Sequence, residues 1–237
     1  MREFIKRRAP ALVDLVRRSR RLAERLHPHP ATSARRMTSI FTEIYQANYW
    51  GNPESRSGNG SDLDQTAALR RRLPAALKQL GVRTLLDIPC GDFFWMSRCA
   101  LDLDRYIGGD IIAALVARLN EIYGDDRHEF RRLNLTVDRL PTVELILCRD
   151  VLVHFSHADV RRALRNMKES SSRYLLTTTF VGREQNADVP TGQWRPLNLQ
   201  RPPFSLPEPI LLIDEECSEG AGHFADKSLG LWRLRDV

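Results

Sequence analysis

From Val82 to Phe180 the sequence alternates between short apolar runs and segments of helical spacing, and that alternation limits the chain to few architectures. "TLLDI", "RYIGGDI", "HEFRRLNL", "VELILCRD" and "SRYLLTTTF" are rich in Leu, Ile, Val and aromatic residues. Helices are expected after the first, second and fourth of them, near 93–101, near 112–123 and over "HADVRRALRNMKES". A strand that is apolar on both faces must be covered on both, which repeated strand–helix units achieve as a parallel sheet with helices on either side. The expected class is therefore α/β, doubly wound and mostly parallel. After Phe180 the pattern changes to a proline-rich excursion, then "ILLIDEE" and "SLGLWRL", which read as a closing antiparallel hairpin.

Upstream, "MTSIFTEIYQANYW" (37–50) looks helical and "GNPESRSGNGSD" reads as a loop. "SDLDQTAALRRRLPAALKQLG" reads as a helix capped by Ser61 or Asp62, broken or kinked at Pro74 and stopped at Gly81. The segment before these is different in charge. Residues 1–36 hold 11 Lys+Arg against 3 Asp+Glu, leaving 25 against 27 for the rest, so the body is near neutral although the chain is +6. Apolar residues at 5, 9, 12, 16, 23 and 26 suggest a basic amphipathic helix over 1–26, suited to peripheral contact with an anionic membrane surface, with a solvated tail as the bland alternative. Nucleic acid is not expected as a partner, because the body lacks basic residues interleaved with stacking aromatics. The organisation expected is a basic extension (1–36), a helical cap or lid segment (37–81) and a ligand-binding domain (82–237).

Cysteines 90, 99, 148 and 217 form no CxxC pair, so neither zinc nor a disulfide framework is signalled and a cytoplasmic location is expected, with the inner-membrane surface as an alternative. No apolar run approaches the roughly 20 residues that span a bilayer.

In doubly wound sheets, ligands bind outside the carboxyl ends of the strands. "LLDIPCGDFFW" (85–95) ends a strand with Asp87 and turns through Pro89, Cys90 and Gly91. A single glycine is a poor match to the glycine-rich loop a pyrophosphate needs, and Asp87 would repel phosphate but attract an ammonium or sulfonium. Asp110 ends the second strand 23 residues later, close to the spacing of about 20 at which an acid takes ribose hydroxyls. Cys90 reads as a small packed residue, since nothing nearby supplies a base.

These segments resemble the class I S-adenosylmethionine-dependent methyltransferases, of the bacterial small-molecule or glycan type. "LLDIPCGDFFW" looks like their first motif, "IGGDI" like their second, "LNL" at 133–135 sits where the family touches adenine, and "VELILCRDVLVHF" is similar to their fourth-strand segment. The resemblance implies a Rossmann-like seven-stranded sheet and S-adenosyl-L-methionine as cofactor, held by Asp87, Pro89, Cys90, Gly91, Asp110, Ile111, Asn134, Leu135, Cys148 and Arg149.

Methyl transfer is an in-line displacement governed by positioning, and an oxygen or nitrogen acceptor also loses a proton. Asp150 and His154, after the fourth strand, are the candidate catalytic residues; they share a face if the segment is helical. Trp194, Arg195 and Asn198 in "TGQWRPLNL" are the candidate acceptor-binding residues, an aromatic plate and a fork of donors suited to a polar or anionic acceptor such as a sugar. No metal is expected, because "TTTF" ends the fifth strand without an acid. "YWGNPESRSGNGS" could fold over the cofactor, hinged at Gly58 and Gly60, or be an ordinary surface loop. The expected activity is methylation, chiefly of oxygen, on a small-molecule or glycan-like acceptor. The alternatives are a protein or peptide methyltransferase and a non-catalytic cofactor-binding module acting through the basic N-terminal helix.

Overall fold

A computed structural model describes residues 30–237, with side chains from Ala34 onward. The chain divides into two compact units, residues 1–36 and 37–237; only residues 30–36 of the first are described, as the start of a helix. The basic amphipathic helix expected over 1–26 lies outside the described residues. Among the described residues no helix is long and apolar enough to cross a membrane.

Two helices, α1 (Pro30–Gln46) and α2 (Ala67–Leu80), precede the sheet. Helix α2 runs through Pro74 without a break and ends at Gly81, whose left-handed backbone (φ 67°) is open to glycine at no steric cost. Then follow β1 (Thr84–Asp87), β2 (Arg105–Asp110), α3 (Ala113–Tyr123), β3 (His128–Arg132), β4 (Leu145–Cys148), α4 (His157–Glu169), β5 (Tyr174–Phe180), β6 (Leu211–Asp214) and β7 (Lys227–Arg233). They build one seven-stranded sheet in the order β3-β2-β1-β4-β5-β7-β6. The first five strands are parallel; β7 runs antiparallel to both β5 and β6, which is the closing hairpin the sequence suggests.

Alternation decides which face each strand residue covers. Leu86, Ile107, Ile146 and Leu175 join Val160, Ala163, Leu164 and Met167 of α4 on one side; Leu85, Leu145, Leu147 and Leu176 join the leucines of α2 and α3 on the other. The four α4 residues sit at i, i+3, i+4 and i+7, a single helical stripe. Each fully buried leucine contributes about 2 kcal/mol of apolar transfer. Ser156 caps α4, its hydroxyl accepting the Asp159 N–H.

The helix expected near 93–101 does not form. After β1 the chain makes tight turns and one 3-10 turn, Met96–Arg98. Phe93 adopts a positive φ of 59° and drops into the core, where its ring meets Tyr106, Tyr123 and Phe130 at about 5 Å. Burying Phe93 and Trp95 outweighs helical propensity in this segment. Along β2, Gly108 allows the tight approach of the β1 turn and of β3: a side-chain carbon there would lie 2.5 Å from the Phe130 ring and 3.1 Å from Cys90 Sγ.

Candidate active site

The strand order reverses between β1 and β4, and the carboxyl ends of these strands open onto a cavity of about 820 Å³. Asp87 at the tip of β1 is almost fully buried, and its Oδ2 accepts the Tyr106 hydroxyl at 2.6 Å. Burial pushes its carboxyl up to about 7 against the opposing pull of Tyr106 and Arg149. Asp110 at the tip of β2 is buried too; its Oδ1 accepts the Ile112 N–H at 3.0 Å, and burial raises it to about 6. Both line the cavity. Neither has an ion-pair partner among the described residues, and the hydroxyl and backbone donors, with Arg149 pulling on Asp87, offset only part of the desolvation.

Between them the turn through Pro89, Cys90 and Gly91 forms one wall. Cys90 donates its backbone N–H to Gly109 O at 2.9 Å, and burial raises its thiol well above the ordinary range, so it packs rather than reacts. Ile111, Asn134 and Leu135 line the cavity as well. The Asn134 amide oxygen is used locally, accepting the N–H and hydroxyl of Thr136.

The loop at 51–61 closes over this wall. Asp92 accepts from the Ser55 hydroxyl (2.9 Å), the Arg56 N–H (2.8 Å) and the Ser57 hydroxyl (3.2 Å). Gly91, at φ 54°, faces Ser57 so closely that a side-chain carbon would lie 2.2 Å from its Oγ. The close approach that Gly91 permits is therefore to the protein's own lid segment.

On the β4 side the charges are cross-paired. Arg149 is buried, with Nη2 2.6 Å from Glu215 and 2.7 Å from Gly60 O, and Nη1 3.3 Å from Asp150. Lys227, also buried, lies 2.7 Å from Asp150 and 3.4 Å from Glu215. Burial alone would raise Asp150, but Arg149 and Lys227 overcome it and hold the carboxyl at about 2. His154 closes a 3-10 turn, Leu152–His154, and faces the same cavity. Its Nδ1 is 3.2 Å from Gln193 O, which can only accept, so Nδ1 carries the proton and Nε2 keeps its lone pair. Burial holds the imidazole at about 4. Trp50 packs on it at 5.4 Å, and Trp194 and Phe224, 4.8 Å apart, line the far wall.

Solved structures share this arrangement of sheet and helices. A stretch of 68% of the chain superposes on 36% of phosphoethanolamine N-methyltransferase 1 of Haemonchus contortus, in complex with phosphoethanolamine and S-adenosylhomocysteine, at 15% identity and TM-score 0.50. This is the class I methyltransferase fold. Lower-scoring superpositions are found with the N-methyltransferase NodS of Bradyrhizobium japonicum (18% identity, 58% of this chain, 73% of that one, TM-score 0.43) and the methyltransferase domain of bacterial CtHen1 (14%, 50% and 66%, 0.43). The chain thus spans about a third of the Haemonchus enzyme and just under two thirds of the CtHen1 domain. No family model matches the sequence, and no curated protein matches it significantly.

On this methyltransferase fold the expected residues divide sharply. Asp87, Pro89, Cys90, Gly91, Asp110, Ile111, Asn134, Leu135, Arg149, Asp150, His154 and Trp194 all reach the cavity. Three do not. Cys148 is wholly buried in the sheet core, its carbonyl accepting the Thr177 hydroxyl at 2.6 Å. Arg195 turns inward: its guanidinium donates to the carbonyls of Leu152, Phe155 and Ala187, a clamp on the turn that carries His154. Asn198 donates to Arg183 O at 2.8 Å and accepts from Gln200 N–H at 3.0 Å, tying down the proline-rich excursion. Their donors are spent on backbone, so the anionic-acceptor expectation built on Arg195 has no support. Lys227, Glu219, Phe224, Trp50 and Tyr45 line the cavity unanticipated. The run "YQANYW", three aromatics in six residues at a helix end, is the signal that could have found two of them.

Proposed function

We propose that the protein transfers the methyl group of S-adenosylmethionine to a small-molecule acceptor. The observation that carries this reading is the pair Asp87 and Asp110, desolvated and unpaired on one cavity. A cofactor bearing a sulfonium, an ammonium and ribose hydroxyls matches that donor set, whereas a dinucleotide would bring phosphates against two carboxylates. Asp87 would hold the amino-acid end, Asp110 the ribose hydroxyls, and Ile111, Asn134 and Leu135 would flank the base. The cavity's roughly 820 Å³ lies toward the top of the usual range for small-molecule sites, about 300–1,000 Å³, room for a nucleoside and a second reactant. The complex of the Haemonchus methyltransferase with S-adenosylhomocysteine supports the same cofactor.

When bound, S-adenosylmethionine supplies an electrophilic methyl on a good leaving group. The chain's own task is then to align the acceptor, exclude water and take a proton. His154 is unprotonated at neutral pH, with Nε2 free, and can accept the proton an attacking hydroxyl gives up. Asp150 is spent on Arg149 and Lys227, and a carboxylate held at about 2 is a poor proton acceptor. An oxygen acceptor is the finer reading; positioning supplies most of the rate. The test is calorimetric titration with S-adenosylhomocysteine: the parent binds one equivalent and Asp110→Ala loses the affinity by a factor of about 100 or more. No heat and no thermal shift with the parent would overturn the proposal.

A further inference from the structure

The charges at the β4–β7 end of the cavity do not sum to zero. Arg149 and Lys227 are matched by Asp150 and Glu215, two against two. Glu219 is left over. It stands in the 3-10 turn Glu219–Gly222 before β7, lines the cavity and is partly buried. Among the described residues its side chain's hydrogen-bond contact is the Cys217 thiol at 3.9 Å, and no cation lies within ion-pair distance. A side-chain carbon at Gly60 would lie 3.0 Å from Asp150 Oδ2, 3.4 Å from Lys227 Nζ and 3.6 Å from Glu219 Oε2, so Glu219 adjoins the paired cluster without entering it. Burial raises its carboxyl, and the pull of Lys227 and Arg149, both ion-paired elsewhere, does not overcome it.

Aromatic rings stand beside it. The Phe224 ring packs on Gly220, the next residue, where a side-chain carbon would lie 2.8 Å from it. Trp194 meets Phe224 at a 67° interplanar angle and keeps 42% of its surface exposed, leaving ring area for a ligand. A carboxylate lacking a cation beside an aromatic pair is the chemistry that binds a protonated nitrogen, by ion pairing and by attraction to the ring faces. Beside Glu219 an anionic ligand meets no free cation, because Arg149 and Lys227 are already engaged and Arg56, the third cation lining the cavity, stands over the Tyr45 ring; burying an unpaired carboxylate near Glu219 costs free energy on both sides.

We propose that the acceptor is a small molecule carrying a protonated amine, held by Glu219 against Trp194 and Phe224, and that this contact sets acceptor selectivity. The inference rests on the methyltransferase reading above and names its substrate class. Gly60, which abuts the same cluster, belongs to the lid loop, so the amine site is completed only with that loop in place.

Three probes of matched size separate the possibilities: phenethylamine, 2-phenylethanol and phenylacetate, titrated into protein saturated with S-adenosylhomocysteine. The amine should bind about tenfold tighter than the alcohol and more tightly still than the acid, the size of an ion pair reinforced by a ring contact. In Glu219→Gln the preference for amine over alcohol should shrink to about threefold or less, with cofactor affinity unchanged. Equal or tighter binding of phenylacetate by the parent overturns the proposal, as does failure of all three probes or an amine preference that survives Glu219→Gln. Trp194→Leu, at an exposed ring, should weaken the amine by a further few-fold relative to the acid. If S-adenosylhomocysteine itself fails to bind, the methyltransferase reading is what has failed; if it binds and the probes are not discriminated, only the amine inference falls.

Discussion

The two halves of the cavity handle charge in opposite ways. At the tips of β1 and β2, Asp87 and Asp110 are buried with only hydroxyl and backbone donors, and their carboxyls rise to about 7 and 6. At the tips of β4 and β7, Asp150, Arg149, Lys227 and Glu215 neutralise one another, and Asp150 falls to about 2. The first half stores an electrostatic debt that a cationic ligand can settle; the second, Glu219 apart, is a brace of paired charges joining the 51–61 loop, through Gly60 O, to the C-terminal hairpin. Carboxylates of one type thus take different roles according to whether the fold gives them a cation.

Breaking the comparison at its catalytic edge should give the largest effect. His154→Ala should lower the rate of methyl transfer about 10²–10⁴-fold with cofactor affinity retained, while Asp150→Asn stays within about tenfold. Because His154 is held at about 4, the parent rate should be flat above about pH 5 and fall only below it. A rate that climbs through pH 6–7, or near-parent turnover in His154→Ala, would remove the base from the account.

The brace predicts a loss of stability. Arg149→Met leaves Glu215 and Asp150 buried with one fewer cation and should cost about 3–5 kcal/mol, read as a fall in Tm of order 10 °C. A change under about 1 kcal/mol would show that the network is solvated and structurally idle.

The uncompensated half predicts the reverse. Asp87 has a folded value near 7, above the ordinary 3.8. Its contribution to stability is complete below about pH 4 and is lost as pH rises through 7. Asp87→Asn should therefore raise the Tm of the ligand-free protein by a few degrees at pH 8, leave it little changed at pH 4, and abolish cofactor binding. Lower stability at pH 8 would mean that the carboxylate is compensated by a contact within the protein. The smallest effect is expected at the lid latch: Asp92→Ala removes three hydrogen bonds to the 55–57 segment and should weaken cofactor binding about three- to tenfold with little change in Tm.

The same division explains what the sequence disclosed. The sheet class, the closing hairpin and the placement of Asp87 and Asp110 at strand tips on the cavity were legible because each depends on local pattern: apolar runs, their spacing, and an acid at a strand end. The opposite wall was legible only in part: Arg149, Asp150, His154 and Trp194 were named from the sequence, but Trp50, Glu219, Phe224 and Lys227 come from segments that meet them only in the folded chain. Arg195 illustrates the gap. A loop arginine beside a tryptophan reads as an exposed fork, yet the backbone carbonyls of Leu152, Phe155 and Ala187 draw it inward. The missing helix after β1 has a related cause, since Phe93 and Trp95 gain more from the core than from a helix that would leave them on its surface.

The central claim is that Asp87 and Asp110 are completed by the cofactor, Asp87 by a cation and Asp110 by ribose hydroxyls. Calorimetric titration of S-adenosylmethionine near pH 6.5, in buffers of different ionisation enthalpy, reads it directly as protons exchanged on binding. The account predicts net proton release by the parent, as the bound cation ionises Asp87 and the ribose hydroxyls donate to an ionised Asp110, and a markedly smaller release in Asp87→Asn if any binding persists. Binding with no proton release, or with the same release in parent and variant, would contradict it.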